Sequence, residues 1–285
     1  PAHRLGRVQE HLGGRGLRPR QAAAAVIGVY DSGIGGLSIL RALRQELPEQ
    51  DYIYLADSGH GPYGEREAAH VIARAHRITD HLRGRGISAL VVACNTATAA
   101  AIGQLRSAHP DLPIIGVEPA LKPALAISAS QRIGVLATRM TLASEKFAQL
   151  LAPLREQAEF VLRACDGLAL AIENSLDDSD QAREALQACA RGHVQALGPL
   201  GAGQIDTLVL GCTHYPFIAE YLQALAGPDV RLIDTGEPVA RQTRKRLAEL
   251  NVPAGTGRIE LLSTGFTCSS MCRSSSPCST RQASR

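Results

Sequence analysis

The chain has 285 residues, enough for one or two domains with a full core, and its 45% hydrophobic and 20% charged content is that of a soluble globular protein. A net charge of +3, with no basic block interleaved with aromatics, excludes nucleic acid as a partner. No apolar run reaches the length of a membrane span and no signal peptide is evident, so no membrane partner is expected.

There is no tryptophan and only 4% of residues are aromatic, so the core must be aliphatic. The seven cysteines are an odd number spread over a large chain, and Cys94 and Cys212 sit in apolar contexts. That is unlike a secreted disulfide framework and points to a reduced, cytoplasmic protein.

Residues 1–23 are rich in arginine and glycine without periodicity and read as a disordered extension. Ala24–Tyr30 is a continuous apolar run, the mark of a buried parallel strand, ending at Asp31-Ser32-Gly33-Ile34-Gly35-Gly36. Leu37–Glu46 has helical spacing, with Pro48 just beyond. A strand over Asp51–Ala56 leads to the polar stretch Asp57–Gly64, and a long helix is expected over Arg66–Arg83. Strand Ile87–Ala93 ends at Cys94-Asn95-Thr96, a helix is predicted over Thr98–Ala108, and strand Leu112–Val117 ends at Glu118-Pro119.

A second series follows. Strand Arg132–Ala137 ends at Thr138, helix Ser144–Leu151 precedes strand Ala158–Leu162, and helices are predicted over Leu168–Asn174 and Gln181–Ala196. Strand Thr207–Gly211 ends at Cys212-Thr213-His214, and strand Val230–Ile233 ends at Asp234. From Phe266 the chain turns to serine and cysteine without an apolar face. Cys268, Cys272 and Cys278 fit no zinc pattern, so no metal is expected.

Strands alternating with helices imply a parallel sheet, with ligands bound beyond the carboxyl ends of the strands. The series also repeats. Ile27-Gly28-Val29 matches Ile133-Gly134-Val135, 106 residues on; Cys94 matches Cys212 after 118; Glu118-Pro119 matches Glu237-Pro238 after 119. Three matches in one order indicate a duplicated α/β unit. The fold expected is α/β, with two similar parallel-sheet domains related by pseudo-twofold symmetry and the active site in the cleft between them. The boundaries are 24–117 plus 234–265 for the first domain and 118–233 for the second, with an aberrant tail over 266–285.

A thiol at a strand end, with a helix starting close behind it, stands where backbone N–H groups favour anions; this lowers its pKa from about 8.5 towards neutrality. Two such thiols on opposite walls of one cleft suit proton transfer at a carbon. One, as thiolate, removes a proton from one face, and the other, as thiol, delivers a proton to the opposite face. Asn95, Thr96 and Thr213 are suited to donate to an α-carboxylate as carbanionic charge develops. Asp31 could receive an ammonium group or assist a cysteine. His214 could donate a proton or favour the thiolate of its neighbour.

Taken together, Asp31–Gly36, Asp57 with Pro62-Tyr63-Gly64, Cys94-Asn95-Thr96, Thr138 before Thr141, and Gly211–Pro216 resemble glutamate racemase, over about residues 24–265 and in the same order. The resemblance implies a cofactor-independent enzyme that interconverts L- and D-glutamate and supplies D-glutamate for peptidoglycan. It implies Cys94 and Cys212 as the acid/base thiols, assisted by Asp31 and His214. Asp31, Ser32, Pro62, Tyr63, Gly64, Asn95, Thr96, Thr138, Thr213 and His214 would line the substrate site, and Glu173 aligns with a further family acid. Two features depart from the pattern. Ser58-Gly59-His60-Gly61 is not the usual filling before Pro-Tyr-Gly. The serine-rich tail also stands where the family has a C-terminal helix, which raises the expectation of an impaired homologue.

Alternatives are an aspartate racemase, another racemase of the superfamily, or a folded but inactive binding protein. A pyridoxal-phosphate racemase needs a Schiff-base lysine, and the only lysines, Lys122, Lys146 and Lys245, lie in no such motif. The Gly33–Gly36 loop lacks the lysine of a nucleotide-binding loop. The sequence leaves the oligomeric state open; a homodimer is compatible with it.

Overall fold

The structure, a computed structural model, describes residues 25–250 and 253–265. The expectations for 1–23 and for the 266–285 tail lie outside the described residues.

In chain order the elements are β1 (Val26–Asp31), α1 (Leu37–Glu46), β2 (Asp51–Ala56), α2 (Ala68–Gly84), β3 (Ala89–Val92), α3 (Asn95–Ala108), β4 (Ile114–Gly116) and α4 (Leu121–Ile127). Then come β5 (Arg132–Ala137), α5 (Arg139–Ala143), α6 (Glu145–Leu151), β6 (Glu159–Ala164), α7 (Leu168–Asn174), α8 (Asp180–Gln195) and β7 (Thr207–Gly211). The chain closes with α9 (Ala219–Ala226), β8 (Arg231–Ile233), α10 (Gly236–Ala248) and β9 (Ile259–Ser263).

The strands form two all-parallel sheets, ordered β4-β3-β1-β2-β9 and β6-β5-β7-β8. Read from the opposite edge, the second sheet runs β8-β7-β5-β6, so β1 to β4 of the first sheet correspond one for one to β5 to β8. The register carries the repeat to the residue. Ile27 pairs with Ala89 on the Cys94 strand, and Ile133 pairs with Thr207 on the Cys212 strand. The shared glycine follows from packing: a Cβ on Gly28 would meet Ile87 at 2.8 Å, and one on Gly134 would meet Leu208 at 2.5 Å.

The central strands β1, β3, β5 and β7 are covered on both faces, which is why they read as nearly unbroken apolar runs. Ile27, Val29, Tyr52 and Tyr54 pack under α1 and α10, whereas Tyr30, Ile53, Leu90 and Val92 pack under α2 and α3. In the second sheet Ile133, Val135 and Val209 pack with Phe147 and Leu151 of α6. Leu136, Leu208 and Leu210 face α7, α8 and α9 through Leu168, Ile172, Leu186 and Leu222. Late in the chain, β9 pairs with β2 and α10 packs along α1, so this segment adds to the first sheet.

The expected bounds of α1, β2, β5 and α7 match those observed. Three differences matter. Helix α3 starts at Asn95 rather than Thr98, because Cys94 itself caps it: the thiol sulfur accepts from Ala97 N at 3.4 Å. Ahead of α2 the chain makes a separate short turn, Tyr63–Glu65. Helices α4, α5, α9 and α10 were not among the expected elements.

The second sheet is pinned at its amino-terminal side by Asp206. Its carboxylate accepts from Ser128 Oγ (2.6 Å), Ala129 N (2.8 Å), Ser130 N (2.7 Å) and Thr207 Oγ1 (2.9 Å), tying the turn after α4 to β7. Burial pushes this carboxyl up, but the hydrogen bonds outweigh it and bring it down to about 2. A carboxyl depressed in the folded state stabilises above its unfolded value and loses that contribution as pH falls through the folded one. Asp206→Ala is therefore expected to lower unfolding free energy near neutral pH by about 1–2 kcal/mol. It is also expected to flatten the acid limb between about pH 4 and pH 2, measured by urea titration across that range.

Candidate active site

All the expected site residues except Glu173 lie at or just beyond the carboxyl ends of strands, and the two sheets turn those ends towards each other. Cys94 follows β3 and Cys212 follows β7. Both are buried, at 4% and 7% exposure, as are Asp31, Ser32, Asn95, Thr96, Thr138, Thr213 and His214.

On the first side, the Cys94 thiol donates to Ser32 Oγ at 3.9 Å and accepts from Ala97 N. Asp31 ends β1; one carboxylate oxygen accepts from Gly33 N (3.2 Å) and the other from Thr213 Oγ1 (3.4 Å) of the second half. The expected depression of the Cys94 pKa is not found. Burial pushes the thiol well above its ordinary value and the Asp31 charge adds to this; the Ala97 N–H pulls the other way and loses. Cys94 is held as a thiol. Burial also raises the Asp31 carboxyl, partly offset by His214 and reinforced by Glu173.

On the second side, His214 Nδ1 lies 3.7 Å from Cys212 Sγ, and its Nε2 lies 2.8 Å from Glu173 Oε1. Burial pushes this imidazole down, but its hydrogen bonds with Cys212 and Glu173 outweigh that and hold it well above the usual histidine value. The same Glu173 oxygen accepts from Ile34 N of the first half at 2.9 Å. Glu173 comes from α7, not from a strand end, and only the motif resemblance indicated it.

Polar contacts join the halves around the thiols. Thr96 Oγ1 and Thr138 Oγ1 are 3.0 Å apart, and Ser38 Oγ donates to Thr213 O at 2.9 Å. Gly64 lies against Thr138, where a Cβ would meet Cγ2 at 2.8 Å; this brings the loop Pro62-Tyr63-Gly64 to the two threonines. The hydroxyl of buried Tyr63 is committed to Asp57. Asn95 donates weakly to Val117 O at 3.5 Å, and its buried Oδ1 has no partner among the described residues.

Sequence reasoning placed Asp57 in a motif but not in the site. It is a fully buried hub that accepts from Arg74 Nε (2.8 Å) and Nη2 (2.7 Å), Tyr63 and Thr264 Oγ1 (2.8 Å), and these bonds override burial to hold its carboxyl low. Its signal was position, directly after β2. Ser38, within α1, carried no signal. Among the described residues no group of three or more His, Cys, Asp or Glu is placed to hold a metal ion.

A buried site of facing strand ends, with a thiol on each side and ionisable partners behind both, is suited to moving protons at a carbon. Comparison with known proteins agrees. The model of the Asp/Glu/Hydantoin racemase family matches residues 37–243. The chain is 49% identical to the glutamate racemase of Ectopseudomonas mendocina over 79% of its own length and 83% of that protein's. Its structure is similar to that of Escherichia coli glutamate racemase in complex with L-glutamate and an activator, UDP-MurNAc-Ala, with TM-score 0.75 and 32% identity, covering 86% of this chain and 91% of that one. It is also similar to the Francisella tularensis glutamate racemase in complex with D-glutamate, with TM-score 0.70 and 26% identity, covering 86% and 90%. The chain belongs to the Asp/Glu/Hydantoin racemase family and is an amino-acid racemase, an isomerase.

Gly33 is a sharp test of the site's packing. Any Cβ there would overlap the Glu173 carboxylate that joins His214 to Ile34. Gly33→Ala is expected to lower kcat/KM for racemisation by about tenfold or more, the loss of one charge-assisted hydrogen bond, and to lower the melting temperature by a few degrees. Activity and thermal unfolding measured on the same preparation check this.

Proposed function

We propose that this protein interconverts L- and D-glutamate by a two-base proton transfer, with Cys94 and Cys212 as the bases, and that it supplies D-glutamate for peptidoglycan in the cytoplasm. The observation that carries the reading is the pair of equivalent strand ends, each delivering a buried cysteine to one site with its own ionisable partner. The glutamate complexes of similar racemases support it further.

The α-hydrogen of an amino acid is very weakly acidic, so the base needs help from groups that stabilise the charge it leaves behind. One cysteine, as thiolate, takes the proton from Cα, and the electron pair of that C–H bond spreads into the adjacent carboxylate. The opposite cysteine, as thiol, gives its proton to the other face of Cα. The two sulfurs have then exchanged roles, and the reverse reaction restores them. Asp31 serves the Cys94 side as proton acceptor. His214, held cationic and oriented by Glu173, serves the Cys212 side as donor. Thr96, Thr213 and the Asn95 amide are placed to hold the substrate's carboxylate and ammonium. Ser32, Thr138 and the Pro62–Gly64 loop close the remaining walls. Burial strengthens each of these interactions, because little water is present to screen them.

Cys94→Ala and Cys212→Ala are each expected to lower turnover of both glutamate enantiomers by at least about 10³-fold, the loss of one proton-transfer group, with folding unchanged. The assay is optical rotation starting from L- and from D-glutamate, with aspartate run in parallel. Substantial residual turnover in either variant would contradict the two-thiol assignment. Aspartate as the better substrate would contradict the substrate. A folded wild type with no turnover would identify an impaired homologue.

A further inference from the structure

One contact between the halves stands apart from the buried set. Glu65 ends the short turn that follows Pro62, and its Oε1 accepts from the backbone N–H of Gly167 at 2.7 Å. This carboxylate is exposed, at the rim of the site. Gly167, at φ +76°, caps α7, whose seven residues include Glu173. The first half therefore holds both ends of α7, through Glu65 at its start and through Ile34 N on Glu173 near its end. Between these holds the helix is a stiff connector less than two turns beyond its cap. Its far end sets the carboxylate on which His214 Nε2 rests. Beside the rim contact, Arg139 pairs with Asp166, and the Glu65 charge adds to the field that this guanidinium feels.

We propose that Glu65 is a positioning residue for the Cys212 side of the reaction: by holding the Gly167 amide it fixes α7, and through α7 it fixes Glu173 against His214. This rests on the two-thiol reading above. The Cys94 side depends on Glu65 far less, because Ser32, Asp31 and the Ala97 N–H that touch or charge Cys94 all belong to the first half. No such role attaches to the neighbouring Glu67, which caps α2 without a side-chain hydrogen bond.

The asymmetry makes the proposal testable. The two enantiomers are equal in energy, so any variant must lower kcat/KM equally in both directions. The isotope effect of α-deuterated substrate is not bound in that way. It rises for the enantiomer whose proton Cys212 removes, when that step is slowed alone. His214→Asn identifies this enantiomer independently.

In the full chain, Glu65→Ala is expected to lower kcat/KM by about three- to tenfold, as the loss of one hydrogen bond does. It should raise the α-deuterium isotope effect for the same enantiomer as His214→Asn and lower or leave unraised that of the other. Glu65→Gln, which keeps an acceptor, should recover most of the loss. Amide hydrogen exchange over Gly167–Asn174 should quicken by a similar factor in Glu65→Ala and not over Ala89–Val92. Unchanged exchange over α7 overturns the proposal, with or without activity. So does an isotope effect that rises for the other enantiomer or for both equally. A wild type inactive on glutamate contradicts the proposed function instead, and the exchange measurement then decides the Glu65 contact by itself.

Discussion

One carboxylate oxygen serves both halves of this molecule. Glu173 Oε1 accepts from His214 of the second half and from the Ile34 amide of the first, at 2.8 and 2.9 Å. Elsewhere in the site a polar group of one half is likewise satisfied by the other: Thr213 by Asp31, Ser38 by the Thr213 carbonyl, Thr96 by Thr138. The cause lies in the architecture. Parallel sheets expose their chemistry at the carboxyl ends of strands, and two such ends placed face to face bury polar side chains that have no water to bond. A buried polar group without a partner costs about 1–3 kcal/mol. The contacts across the halves pair most of these groups.

The surroundings of the two thiols differ as well. Both sit at equivalent strand ends, yet their neighbours differ in charge. Cys94 faces a carboxylate and a hydroxyl, and is held as a thiol. Cys212 faces an imidazole whose hydrogen bonds hold its pKa above the usual histidine value. A duplicated scaffold thus carries a carboxylate beside one thiol and an imidazole beside the other.

Much of this was legible in the residues. The central strands announced themselves as apolar runs because both their faces are covered, and β1, β3, β5 and β7 ended in the polar residues of the site. The Ile-Gly-Val repeat foretold the equivalence of β1 and β5, since a close side chain excludes a Cβ at Gly28 and Gly134. Other features were hidden for physical reasons. Helix α10 buries little more than Val239, Ala240, Thr243 and Leu247 along thirteen mostly polar residues, so its apolar stripe is thin. The start of α3 was misplaced because cysteine is an unusual cap. The Cys94 pKa went the other way because the helix-end effect is readable from order in the chain, whereas burial and the nearness of Asp31 are not. Glu65 was invisible as a cross-half contact because an exposed glutamate in a polar turn is ordinary; only its distance to Gly167 distinguishes it.

The central claim is that two bases, one from each half, act on opposite faces of one carbon. Following deuterium into glutamate during the first few per cent of reaction in D2O tests this directly. Starting from L-glutamate, two separate bases require that the D-glutamate formed carries deuterium at Cα while the remaining L-glutamate stays protiated, and that the pattern mirrors itself starting from D-glutamate. D-glutamate that retains the original hydrogen at Cα would mean that a single base carries the proton across, and would contradict the account.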